Sequence, residues 1–187
     1  ADALPAALGM LSRLYEAREV AEAMGGEESA QQVADDLGDD AKAVLEHAAG
    51  FSDRYLGALS DDFNTAKALS YVFELVRAMN RFGNHKRARK RGGPVVAEAL
   101  AALRLVTETL GLLGMNTEAF IEEVKGKRLG AMGVSRDDVE ALLDERTAAR
   151  AAKDWAQADT IRDELDSLGV VVMDVADGVR WRMRLHD

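Results

Sequence analysis

The sequence predicts a mainly α fold: a helical bundle of about four main helices over residues 1–125, a linker at 126–134, and a small α+β module of two helices and a β-hairpin over 135–187. Three observations predict it. Apolar residues recur at helical spacing along several long stretches. Alanine and leucine supply much of the apolar content, while aromatics make up 5% and prolines number two, a balance that favours helix. Near the end, Val170-Val171-Val172-Met173 followed by Asp177-Gly178 is a strand-and-turn signal.

Taken in order, Leu4 to Met24 reads as an amphipathic helix, with Leu8, Leu11, Leu14, Tyr15 and Arg18 on or beside one stripe. Pro5 is tolerable only in its first turn, and Gly25-Gly26 ends it. The acidic stretch from Glu27 to Asp40 is left open between frayed helix and loop. Ala41 to Leu59 is expected to form a second long helix with Val44, Leu45, Ala48, Phe51, Tyr55 and Leu59 inward, weakened at Gly50 and Gly57 by about 1 kcal/mol each. In Asp61-Asp62-Phe63-Asn64-Thr65, Asn64 or Thr65 can cap a third helix, and the aspartates suit the positive end of its dipole.

The segment His85 to Gly93 is the most basic, and Lys86, Arg87 and Arg89 are candidates for RNA backbone contact. The alternative is a solvated loop between two helices. With no interleaved aromatics, any contact there touches backbone without reading sequence. Pro94 suits a first turn, and Val95, Val96, Leu100, Leu103, Val106, Leu110 and Leu113 give the next helix its stripe, stopped at Gly114. Thr117 to Lys125 reads as a short helix, and glycine-rich Lys125 to Gly133 as the linker. Ser135 with Asp138, and Asp154 with Gln157, have capping-box spacing and start the two module helices. Trp155, Ala158, Ile161, Leu165 and Leu168 are expected on one apolar face of the second, ended by Gly169. Val170–Met173 and Val179–Met183 then pair as a hairpin around Asp177-Gly178.

Composition excludes several function classes. No apolar run is long enough to cross a membrane, which leaves no membrane partner to expect. There is no cysteine, so disulfides and thiolate metal sites are excluded, in keeping with a cytoplasmic protein. No metal site is expected: Asp61 and Asp62 have no further ligands nearby. No catalytic residue stands out, because His47, His85 and His186 are scattered and no Rossmann or P-loop glycine signature is present. A net charge of −9 confines any contact with nucleic acid to local basic patches.

Over residues 146–182 the chain reads R-x-x-x-R-x-x-K-D-W-x-x-A-D-x-I-R-D-x-L-x-x-x-G-V-x-x-x-D-x-x-x-G-x-x-W-R, from Arg146 to Arg182. This pattern resembles the carboxyl-terminal anticodon-binding module of the cysteinyl-tRNA synthetases. The D-D-F-N-T string, with Ala66 where the family usually has proline, and L-x-L-V-T-E-T-L-G-L-L-G are similar to helices of the family's DALR domain.

The resemblance implies recognition of the anticodon loop of the cysteine tRNA, with Arg150, Asp159 and Asp174 as base-reading residues. An arginine fork suits guanine O6 and N7, and a carboxylate accepts from base N–H groups. Trp155 either stacks on a base or packs under the site, and Trp181 reads as core. Arg146, Lys153, Arg162 and Arg182 are candidates for phosphate contact or for pairing with the aspartates.

The family's ATP- and zinc-dependent catalytic domain, with its HIGH-like and KMSKS-like signatures, has no counterpart in this sequence. The resemblance therefore implies an excised carboxyl-terminal piece, itself without cofactor and inactive as an enzyme, whose partners are the tRNA and the catalytic domain of the same enzyme. The competing readings are a freestanding helical interaction module of the same ancestry and the tail of the related ligase of mycothiol synthesis. The Arg150, Asp159 and Asp174 set argues against the latter.

Overall fold

The computed structural model describes residues 3–175 and 178–184, with the side chains of residues 7–173 and 178–184. The chain folds as two compact units, Met10–Thr117 and Glu118–Asp187 with Ala1–Gly9.

The first unit is helical. Its main helices are α1 (Ala3–Glu22), the consecutive pair α3 (Asp39–Ala49) and α4 (Phe51–Ser60), α5 (Thr65–Gly83) and α7 (Gly93–Leu110), with short α2 (Ala30–Leu37) and α6 (Lys86–Arg91) between them. The undecided acidic stretch thus contains a helix, α2, which Ser29 caps by accepting from the Gln32 N–H. The expected single helix over Ala41–Leu59 is two, because the chain breaks at Gly50 with φ −90° and ψ 2°. The Arg54 side chain braces the break, donating to Gly50 O at 3.1 Å and His47 O at 3.2 Å. Val44, Phe51 and Tyr55 are fully buried, and the Tyr55 hydroxyl is 2.6 Å from Thr109 Oγ1. Asn64 caps α5 as expected, accepting from the Lys67 N–H. Helix α7 stops at Gly111, left-handed at φ 68°, three residues before the expected Gly114.

Arg18 closes this unit at its end. Its guanidinium donates to Thr117 Oγ1 at 2.6 Å, to Leu113 O at 2.8 Å and to Met115 O, and it lies 4.7 Å from the centre of the Tyr15 ring. The loop after α7 is thereby held with Leu113 in a left-handed conformation.

The second unit begins with α8 (Thr117–Met132), which runs through residues expected to form a glycine-rich linker. Leu129 is 2% exposed and belongs to the unit's core, and that burial holds Gly126 and Gly130 in helix against their propensity. Then come α9 (Arg136–Ala151), α10 (Trp155–Ser167), β1 (Val170–Val175) and β2 (Gly178–Met183). Ser135 and Asp138 form the reciprocal capping box the spacing predicts. The strands pair antiparallel, with Val172 opposite Trp181 and Asp174 opposite Val179. Val139, Leu143, Ile161, Leu165, Val170 and Trp181 form the core beneath them, so Trp181 is core as expected. Asp177 of the turn lies outside the described residues.

Candidate nucleic-acid interface

The tight corner between α9 and α10 brings three of the expected site residues, Arg150, Lys153 and Trp155, close along the chain. Helix α9 buries Val139, Leu143, Arg146 and Ala149 along one stripe. It ends in a Schellman arrangement: the Asp154 N–H donates to Ala149 O at 2.9 Å and the Lys153 N–H to Arg150 O at 3.1 Å. Lys153 occupies the left-handed position at φ 60°, where glycine is usual. The next residue, Asp154, caps α10 by accepting from the Gln157 N–H at 3.1 Å. The two helices are therefore joined by only three residues, Ala152–Asp154, and Arg150, Lys153 and Trp155 lie within one turn of the corner.

Trp155 departs from the expected apolar face. Ala158, Ile161 and Leu165 are the buried residues of α10, whereas Trp155 is 59% exposed. At about 100° per residue Trp155 falls roughly 60° or more from that stripe and aligns instead with Asp159 and Arg162, its i+4 and i+7 neighbours. All three side chains are exposed. This exposed face presents an indole, a carboxylate and a guanidinium, which are the groups needed to stack on a base, accept from its edge and hold a phosphate.

Arg146 is 7% exposed and sits on the buried stripe of α9, while Arg150, one turn on, is exposed. Arg182 is exposed on β2, paired opposite Val171. The strand alternates: Trp181 and Met183 are buried, and Arg180 and Arg182 are exposed, as is Arg184 just beyond it. Arg180 belongs to this basic face as well, and the alternation of β2 was the signal that would have picked it out. The side chain of Asp174 lies outside the described residues, as does His186.

Trp181 anchors the hairpin through charge as well as burial. The Lys125 ammonium is 4.6 Å from its ring centre and the Arg136 guanidinium 6.0 Å. Glu122 joins the two cations, 2.7 Å from Lys125 Nζ and 2.7 Å from Arg136 Nη1, the latter an ion pair without an aligned hydrogen bond. The hydrogen bond from Lys125 outweighs desolvation and holds the Glu122 carboxyl below its ordinary range.

The basic segment at 85–93 is helix α6 and its caps, not a loop. Lys86, Arg87 and Arg89 are exposed on it. His85 Nε2 lies 2.7 Å from Asp40 Oδ2, an exposed surface pair. An open groove of about 680 Å³ lies along α7, floored by Leu45, Ala48 and Leu105 and edged by Glu98, Arg104 and Glu108. Among the described residues no cluster of His, Cys, Asp or Glu can hold a metal ion, and no helix is long and apolar enough to cross a membrane.

Residues 136–182 match the family described as the cysteinyl-tRNA ligase anticodon binding domain, and residues 54–114 match the DALR domain. The chain is similar to the cysteine–tRNA ligase of Geobacter sulfurreducens, 41% identical over 144 residues, which is 75% of this chain and 29% of the relative. It is likewise similar to that of Chromohalobacter salexigens, 42% identical over 137 residues, 73% of this chain and 27% of the relative. With that of Pseudomonas aeruginosa it shares 41% over 144 residues, 76% of this chain and 28% of the relative. The chain spans less than a third of the length of these relatives. With the DALR domain and the anticodon binding domain in sequence along it, the chain belongs to the cysteinyl-tRNA ligase family and corresponds to its carboxyl-terminal part.

Proposed function

We propose that this chain binds the cysteine tRNA and that its α9–α10–hairpin module reads the anticodon loop, so that a catalytic domain of the kind its relatives carry can charge that tRNA with cysteine. The observation that carries the reading is the exposed Trp155–Asp159–Arg162 face beside Arg150, within the segment that matches an anticodon-binding family. In this reading Arg150, Asp159 and Asp174 read base edges. Trp155 offers a base its exposed ring, since a side chain packed under the site would be buried. Lys153, Arg162 and Arg182 hold phosphate. Arg146, buried on α9, is a positioning residue.

ATP and zinc belong to the chemistry proposed for the longer relatives, and no step here uses them. The DALR-like bundle and the terminal module are proposed as the functional domains, and the cytoplasm as their place of work.

The test is a titration of the chain with the cysteine tRNA and with the same tRNA altered at its anticodon guanine. The reading expects the altered tRNA to bind more weakly by about 1–3 kcal/mol for each base interaction removed, and Arg150→Ala or Asp159→Ala to abolish that difference. Equal affinity for both tRNAs would overturn it. An absence of binding even at low salt would favour the interaction-module reading.

A further inference from the structure

We infer that the end of α5 and the whole of α6 form a second, preorganised surface for the phosphate backbone of an RNA stem. The inference rests on the proposed tRNA binding but not on anticodon reading. Residues 77–91 contain seven of the chain's 24 Lys and Arg and no Asp or Glu, in a protein whose net charge is −9. A local concentration of one sign against the overall charge is what a phosphate contact requires.

The structure separates these seven cations by role. Arg91 is spent on the fold: it donates to Glu28 and Asp36, with 2.7 Å from its Nε to Glu28 Oε1 and 2.7 Å from its Nη2 to Asp36 Oδ2. The single charge of Arg91 thus offsets half of the charge of these two acids beside α6, and Asp40 is hydrogen-bonded to His85. Lys86, Arg87, Arg89 and Lys90 remain, with Arg77 and Arg81 on the last turns of α5. All six are exposed, and none has an ion-pair partner among the described residues.

Helix α6 is fixed rather than free. Ala88 is fully buried, the Gly25 N–H donates to Arg89 O at 3.2 Å, and the Gly93 N–H donates to Gly25 O at 2.8 Å. The backbone that carries these cations is therefore fixed before any ligand arrives, which removes the backbone share of the entropy cost of binding. The cations span about 6 Å of helix axis on each element, from Arg77 to Arg81 on α5 and from Lys86 to Lys90 on α6.

The outward positions of α6 decide the ligand class. They carry only Lys and Arg, without the apolar face a membrane-surface helix inserts. They lack aromatics, so unpaired bases find no stacking platform. A duplex stem, met through its backbone, needs neither.

The experiment titrates the 187-residue chain with an RNA hairpin that has a stem but no anticodon sequence, over a series of salt concentrations. The variant Lys86→Gln/Arg87→Gln/Arg89→Gln/Lys90→Gln keeps good helix formers in α6. Circular dichroism confirms that it is folded, and Arg77→Gln/Arg81→Gln gives an independent second arm. The expected result is a salt dependence of log K whose slope falls by about one for each cation that no longer meets a phosphate, in both variants. An unchanged slope in the folded variants overturns the inference, as does tighter binding to phosphatidylserine vesicles than to the stem. Should the stem slope stay unchanged while anticodon discrimination persists, this inference fails and the anticodon reading stands. A reduced stem slope without anticodon discrimination supports the stem surface and removes the anticodon reading.

Discussion

The Lys125 ammonium sits 4.6 Å over the centre of the Trp181 ring, tying helix α8 to the outer strand of the hairpin. Trp181 is 9% exposed, and its ring fills the core beneath β1 and β2. Trp181→Ala should cost about 3–5 kcal/mol in urea unfolding. Lys125→Met preserves the apolar stem and removes the charge over the ring together with the hydrogen bond to Glu122, so it should cost about 1–2 kcal/mol. A Lys125→Met loss as large as that of Trp181→Ala would mean that the charge, not the ring's burial, anchors the hairpin.

Stability should fall on acidification. Glu28 is held below its ordinary carboxyl value by the hydrogen bond from Arg91, and Glu122 by the hydrogen bond from Lys125. For each, the unfolded chain takes up its proton at a higher pH than the folded chain does. The stabilisation is thus present above the ordinary value of 4.5 and lost as pH falls through the lower folded value. Glu122→Gln should be less stable at neutral pH and show a shallower decline below pH 4.5. Urea midpoints measured across that window test this, and parallel curves for the two proteins would contradict it.

Ser12 is 1% exposed in α1, and its hydroxyl has no hydrogen-bond partner among the described residues. Ser12→Ala removes a buried, unsatisfied group and adds helix propensity. It should raise stability by about 1 kcal/mol, read as a higher thermal midpoint.

Gly26 has φ +130°, and a Cβ there would stand 2.5 Å from Arg91 O at the end of α6. Gly26→Ala combines backbone strain with a backbone clash, so it should destabilise by more than about 1 kcal/mol. Hydrogen exchange should show the loss concentrated in α6 if that helix is held by this junction.

The two Trp residues should report separately. Trp155 is 59% exposed and Trp181 is 9% exposed. Trp155→Phe should remove the acrylamide-quenchable, red-shifted emission and leave a blue-shifted remainder. A remainder that is quenched as readily as the parent would show Trp181 to be accessible.

The terminal module was the most legible part of the sequence. Its caps at Ser135 and Asp154, its left-handed Gly169 and the alternation of β2 are local signals, and the structure contains each of them. Three features were not local. Helix α6 is a run of cations that reads as a loop, and it folds because Ala88 is buried and Gly25 receives it from a distant turn. Helix α8 carries Gly126 and Gly130 and is held by the burial of Leu129. The break at Gly50 depends on Arg54 reaching back to two carbonyls. In the candidate site, the motif named Arg150 and Asp159, and both side chains are exposed. The exposure of Trp155 was masked by its place beside an apolar stripe, and Arg180 falls outside the motif although the alternation of β2 marks it as outward.

The left-handed corner at Lys153 sets stability against charge. Glycine would adopt that backbone without strain, so Lys153→Gly should gain about 1 kcal/mol. The same change removes an ammonium two residues from Trp155, at the point where α9 hands over to α10. No single residue type gives this corner both a relaxed backbone and a cation. A chain selected for thermal endurance and one selected for holding RNA would therefore diverge at this position first.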